Sequence, residues 1–251
     1  MTLRQAINWK QDASLFPPKE MYLFSHDDRG KNIAFKQLSE SVQRRKRIDN
    51  MQIVQNLPKT QEHGFPILQP YTGSLDFTYV SFVDRKKHDG TGCALGFFLY
   101  DYSFDVSVWY KLEHITSEIV NYDVVFAPDY SLFVGDNFKM QNLYNVYKAR
   151  VVAAYWQYCG KDVIPVATWG CANSFRYCFE GLPEYSVIAV CGIGHDCDPL
   201  RHRLWTEAIL ELQRQKHPTT IIVYGGKNCT VKGLEANLVF LEDFITKRFR
   251  E

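Results

Sequence analysis

Asp123-Val124-Val125-Phe126-Ala127-Pro128-Asp129-Tyr130-Ser131 and Asp162-Val163-Ile164-Pro165-Val166-Ala167-Thr168-Trp169 bracket a long stretch with helical periodicity, from about Asn137 to Cys159. Each outer segment is a short, mostly apolar run with a polar start, the pattern of a strand buried on both faces. Between them, Met140, Leu143, Tyr147, Val151, Ala154 and Tyr158 recur every three or four residues and form one apolar stripe. Asp136 stands where an N-cap is expected, and Gly160 where a helix ends in a left-handed residue. Strand, helix and strand in this order make a βαβ unit, whose strands lie parallel in one sheet.

The alternation continues outward in both directions. Upstream, Asp76 to Val83 and Cys93 to Tyr100 read as strands, and a short helix or turn around Val108 to Ser117 leads into the central unit. Downstream, Tyr185 to Cys191 reads as a strand ending in Gly192-Ile193-Gly194, and Leu200 to Gln215 as a helix. Thr219 to Tyr224 is the last expected strand. Gly233 to Phe249 is read as a final helix, with Leu234, Leu238, Leu241 and Ile245 in register. The expected class is α/β, with a mainly parallel sheet and alternating helices, either open or curled into a partial or complete (β/α) barrel. An N-terminal accessory segment, residues 1–58, precedes an α/β domain, residues 59–251.

The 251 residues carry a net charge of +1, so no global field draws this chain to nucleic acid or to an acidic membrane surface. A local basic run, Arg44-Arg45-Lys46-Arg47, is either a phosphate contact or a solvated helix face. Seven cysteines without a Cys-x-x-Cys pair suit reduced thiols. Met1 to Asp12 has no signal-peptide core, and no stretch has the length of a membrane span, so a cytoplasmic location is expected and no membrane partner.

Ligands of parallel α/β sheets bind outside the carboxyl ends of the strands. That rule selects Asp101 and Tyr102, Asp129 and Tyr130, Trp169, Cys191 with its glycine turn, and Tyr224 with Gly225-Gly226. Gln141 and Asn145, in the first turns of the long helix, open toward the same rim. Asp101 and Asp129 end consecutive strands, and paired carboxylates serve acid–base chemistry or hold a divalent cation. The alternative is that each caps a turn. Asp101, Asp129 and Gln141 are thus the candidate catalytic residues. Tyr102, Tyr130, Asn145, Trp169 and Tyr224 are the candidate substrate contacts, with a solvated helix edge or a core aromatic as the alternatives. His195, Asp196, Cys197, Asp198 and His202 cluster without the spacing of a zinc site. Gly225-Gly226-Lys227 lacks the full phosphate-loop pattern.

Several pieces between Gly96 and Gly225 resemble a bacterial and phage family classed only as a domain of unknown function. They are Phe97-Phe98-Leu99-Tyr100-Asp101-Tyr102-Ser103-Phe104, Ala127-Pro128-Asp129-Tyr130-Ser131-Leu132, and Gln141-x-x-x-Asn145-x-Tyr147-x-x-Arg150. Val163-Ile164-Pro165 with Trp169, Ser174-Phe175 with Cys178-Phe179-Glu180-Gly181, and Val223-Tyr224-Gly225 complete the likeness. The resemblance implies no activity. It implies an association with mobile elements, and with it nucleic-acid or host-conflict biology. The expected function is an enzyme with a carboxylate site at the strand ends, carrying out metal-assisted hydrolysis. The alternative is a nucleic-acid- or protein-binding module of a phage or other mobile element, using Arg44, Arg45, Lys46 and Arg47 and exposed aromatics.

Overall fold

The computed structural model describes residues 24–26, 32–34, 50, 53–195, 197–226 and 231–243. Two short strands, β1 (Phe24–His26) and β2 (Asn32–Ala34), pair antiparallel. The main body holds two four-stranded parallel sheets. The first runs in the order β3 (Thr78–Ser81), β4 (Cys93–Gly96), β5 (Val124–Phe126) and β6 (Asp162–Ile164). The second contains β7 (Val166–Ala167), β8 (Val187–Cys191), β9 (Thr220–Tyr224) and β10 (Asn237–Leu241), adjacent in that order.

β6 and β7 are one extended segment interrupted by Pro165, which has no N–H to give to a ladder. Upstream of the proline the segment pairs with β5; downstream it pairs with β8. The Pro165 carbonyl still accepts a hydrogen bond from Ala189 N at 2.8 Å. The two sheets therefore share a seam, and each strand lies beside the next in sequence, the order of a (β/α) barrel. The array curls. Tyr79 on β3 lies 4.9 Å, ring to ring, from Tyr224 on β9, and Phe98 stacks on Tyr224 at 4.5 Å. Among the described residues β3 and β10 stay unpaired with each other, so the curl is a partial barrel filled by aromatic rings.

Among the described residues four α-helices accompany the strands: α1 (Asp105–Val108), α2 (Leu112–Glu118), α3 (Lys139–Tyr158) and α4 (Pro199–Lys216). The ends of α4 follow its sequence. The Asp198 side chain caps Arg201 N at 2.9 Å, Pro199 occupies the first turn, and His217 closes the helix at φ 46°. The start of α3 differs from expectation. Asp136 opens a 3-10 turn, Asp136–Phe138, and its carboxylate accepts from Asn173 Nδ2 at 3.0 Å instead of capping α3. Gly160 does take the expected left-handed conformation, at φ 79°.

Two further sequence expectations need correction. The buried side of α3 is not the apolar stripe alone: Met140 is 78% exposed, whereas Asn142, Asn145, Lys148 and Arg150 are buried. Polar side chains are buried there because each has a hydrogen-bonding partner. The expected helix from Gly233 is replaced at its centre by β10, paired along β9 from Asn237↔Thr220 to Leu241↔Tyr224. A short apolar run suits either period, and the open edge of β9 supplies a ladder that the helix reading cannot see. Residues 244–249 of that expected helix lie outside the described residues. Ahead of the expected boundary at 58, Val54 is buried and the Asn50 side chain donates to the Trp109 carbonyl at 2.7 Å.

Arg150 joins helix, sheet and loop. Its guanidinium donates to the carbonyls of Glu180 (2.9 Å), Cys178 (2.7 Å) and Val166 (3.3 Å). Burial lowers its pKa to about 10, so it remains cationic at neutral pH. Gly181, at φ 77°, lets the loop turn over it; a Cβ there would lie 3.3 Å from Arg150 Cδ and 2.6 Å from the Pro66 carbonyl oxygen. Arg150→Met should lower the unfolding free energy by about 3–5 kcal/mol in chemical denaturation, because it strands buried carbonyls. Arg150→Lys should lose less, since an ammonium reaches only part of the set.

Candidate functional site

β5 ends at Phe126, and Ala127-Pro128 deliver Asp129 to the carboxyl face of the sheet. Asp129 is half-buried, and its Oδ1 accepts a short hydrogen bond from Thr168 Oγ1, just past β7. Burial pushes the Asp129 carboxyl up to about 7, the Thr168 bond opposes the rise, and the negative field of Asp101 adds to it. Asp101 stands past the end of β4 at the start of a 3-10 turn. Its carboxylate accepts from Ser131 N at 3.1 Å and Ser131 Oγ at 2.9 Å, so it also ties the loop after β4 to the loop after β5. The two carboxylates expected at neighbouring strand ends are therefore in each other's field, and each has a hydroxyl partner.

α3 holds the same loop from the other side. Asn142 pairs with both backbone groups of Phe133 at 2.8 Å, and Asn145 Nδ2 donates to the Ser131 carbonyl at 2.6 Å. Gln141 is exposed and donates to Asn145 Oδ1 at 3.3 Å. Lys148 is buried, pairs with Asp105 at 2.9 Å, and places its ammonium 3.9 Å over the Tyr130 ring. Asp101, Tyr102, Asp105, Gln141, Asn145 and Lys148 all line one open cleft of about 640 Å³, with Phe133 and Phe138 at its rim.

Trp169 is placed elsewhere. It lines a smaller hollow of about 220 Å³ together with Thr168, Cys191, His195 and Trp205. His195 is buried, its Nδ1 lies 2.5 Å from the Gly192 carbonyl, and its ring sits 4.6 Å from Trp205. Burial raises the Cys191 thiol to about 12, with the Asp129 and Asp243 carboxylates adding to the rise, so it stays protonated and is a poor nucleophile. Tyr130 and Tyr224, expected on the ligand face, are each 1% exposed and lie beneath it. They are large amphipathic rings, and the curled sheet uses them as filling.

Among the described residues, the three potential ligands that converge within reach of one metal ion are Glu62, His63 and Glu180. There His63 Nδ1 lies 2.6 Å from Glu180 Oε2, the separation of a direct hydrogen bond. His195, Cys197 and His202 do not converge in this way. Arg44, Arg45, Lys46 and Arg47 lie outside the described residues, as do Asp196 and Lys227. The six described cysteines are free thiols, and no described helix is long and apolar enough to cross a membrane.

Sequence reasoning missed Thr168, Asp105, Lys148 and Asp243. Thr168 stood in view beside Trp169 at a strand end. Asp243 follows β10, so the rule that selected Asp101 and Asp129 would have selected it once that strand was recognised. Lys148 and Asp105 carried no signal, because their pairing spans two helices far apart in sequence.

The family model described as a domain of unknown function, DUF4417, matches residues 58–242, and the chain belongs to that family. It is similar to the Gene 1 protein of Mycobacterium phage D29, 33% identical over 181 residues, covering 71% of this chain and 66% of the relative. The chain thus spans just under two thirds of that phage protein. It is also similar to the Gene 1 protein of Mycobacterium phage L5, 34% identical over 178 residues, covering 68% of this chain and 77% of the relative. No solved structure matches.

The raised Asp129 pKa has a thermodynamic signature. The folded state binds this proton more tightly than the unfolded chain, whose carboxyl titrates at 3.8. The resulting stability is fully present below that value and is lost as pH rises through about 7. Asp129→Asn should therefore raise the unfolding free energy at pH 8 by about 1–3 kcal/mol, less than the full shift implies because water reaches the site. It should leave the value at pH 4 nearly unchanged. Urea denaturation of both proteins across pH 4 to 8 measures the difference.

Proposed function

We propose that this member of the family is a hydrolytic enzyme in which Asp129 exchanges the proton and Asp101 is its companion carboxylate. The observation that supports this reading is a half-buried carboxyl at a parallel strand end, pushed up to about 7 by burial, with the field of a second carboxylate, Asp101, adding to the rise. A group titrating there is populated in both protonation states at neutral pH, which suits it to give and take a proton in one cycle. Thr168 fixes one oxygen of the carboxyl, which orients the other. Asp101, bonded to Ser131, lines the cleft in which a substrate would lie.

Acid–base work fits this geometry better than a protein-built metal cradle. A divalent cation would take only Asp101 and Asp129 from the chain and complete its shell with water and substrate, as Mg²⁺ commonly does. Gln141, exposed on the cleft wall, orients substrate in this reading and does not transfer a proton. The binding-module alternative rests on Arg44 to Arg47, outside the described residues, and on exposed aromatics, of which Tyr100 and Tyr102 are examples.

The test is turnover of a panel of nitrophenyl esters, phosphodiesters and glycosides, with and without Mg²⁺. One class should be hydrolysed with a pH inflection near 7. Asp129→Asn should cut the rate by about 10²- to 10⁴-fold and remove the inflection. Asp101→Asn should also lose rate while the fold is retained. Turnover in no class, or turnover indifferent to both substitutions, would refute the reading.

A further inference from the structure

The cleft beside Asp101 has a rim unlike the rest of its lining. Tyr102 is 80% exposed and Tyr100 73%, and their rings stack at 5.7 Å and 9° in open solvent. Phe133 and Phe138, which also line the cleft, are exposed and pack ring to ring at 5.5 Å. Aromatic faces left in water next to a polar floor mark a contact surface. The polar part of the lining is made of carboxylates and amides, Asp101, Asp105, Gln141 and Asn145, and Val106 joins the rings in its apolar part. Its one cationic side chain, Lys148, is already paired with Asp105.

This chemistry discriminates between ligands. A phosphodiester or nucleotide brings negative charge against the Asp101 carboxylate and meets no uncommitted cation in the lining, because Lys148 and Asp105 neutralise each other. A neutral sugar presents hydroxyl donors to the carboxylates and amide oxygens. Its C–H faces, slightly positive, lie well on the negative face of an aromatic ring. We infer that the cleft binds a neutral carbohydrate, with Tyr102 as the platform for a sugar ring and Asp101 and Gln141 as hydroxyl acceptors. This deepens the proposed hydrolysis through Asp101, which lines the cleft and whose field reaches Asp129, since glycoside cleavage uses two carboxylates that differ in environment.

In that chemistry the acid gives its proton to the glycosidic oxygen as the bond to the anomeric carbon breaks. Water then supplies hydroxide to that carbon, and its second proton restores the acid. Asp129 is the group placed to start protonated. Binding by the cleft does not depend on that step, so the two readings can fail separately.

The experiment is titration of the full chain with xylotetraose, cellotetraose, maltotetraose and chitotetraose, followed by calorimetry and by tyrosine fluorescence. Adenosine and oligothymidylate are parallel arms. At least one oligosaccharide should bind with a dissociation constant below about 1 mM. Tyr102→Ala should weaken it by at least about tenfold, whereas Tyr102→Trp should keep it. Binding without hydrolysis of that sugar would sustain this inference and count against the hydrolase reading for that substrate. No oligosaccharide bound, binding indifferent to Tyr102→Ala, or Tyr102-dependent binding of oligothymidylate or adenosine alone would overturn it.

Discussion

The Arg150 guanidinium, buried under three backbone carbonyls, is the constraint on which the rest of the structure hangs. It projects from the middle of α3, reaches the start of β7 at Val166, and gathers the loop at Cys178 and Glu180. A planar group with donors in a fixed fork can hold three carbonyls only if helix, strand and loop keep one relative position. Burying the charge is costly, and the oriented carbonyl dipoles offset that cost. The same helix carries Asn142, Asn145 and Lys148, so fixing α3 through Arg150 also fixes the carboxyl face.

The loops on that face are held by side chains bonded to backbone. Asn142 takes both groups of Phe133, Asn145 takes the Ser131 carbonyl, and Asp101 takes the Ser131 amide. Each bond satisfies a main-chain group that a strand ladder no longer serves. The loop after β5 is thereby set from two directions, and Asp129 emerges from its base. Thr168, on the far side of the Pro165 break, completes the set. The interruption at Pro165 joins one sheet to the other and carries Thr168 to the carboxylate.

Much of this could be read in advance, for identifiable reasons. The β5–α3–β6 unit is visible because buried parallel strands are continuous apolar runs and a helix of α3's length repeats its pattern several times. Asp101 and Asp129 follow from the rule for strand ends. The fold class and the family resemblance both hold. Other readings failed where local pattern is ambiguous or where polarity hides burial. Leu234, Leu238 and Leu241 fit a helix by spacing, yet the edge of β9 draws the middle of that run into a strand. Nothing in the spacing of Asn142, Lys148 and Arg150 announced their burial, because their hydrogen-bond partners lie outside the helix. Tyr130 and Tyr224 read as rim residues because strand position says nothing of which way a curled sheet turns its rings.

By itself, then, the sequence determined the order of elements from β3 to β9, the parallel sheet and the residues that end those strands, because these depend on periodicity and short-range punctuation. The tertiary structure alone decided three things. It curled the array so that Tyr79 and Phe98 meet Tyr224. It brought Thr168 to Asp129, and Asp101 to Ser131. It left Tyr100 and Tyr102 in solvent beside a carboxylate-lined cleft. The physical reason is common to all three. Contacts between distant residues, and the burial that moves a carboxyl from 3.8 to about 7, exist only once the chain has folded around them.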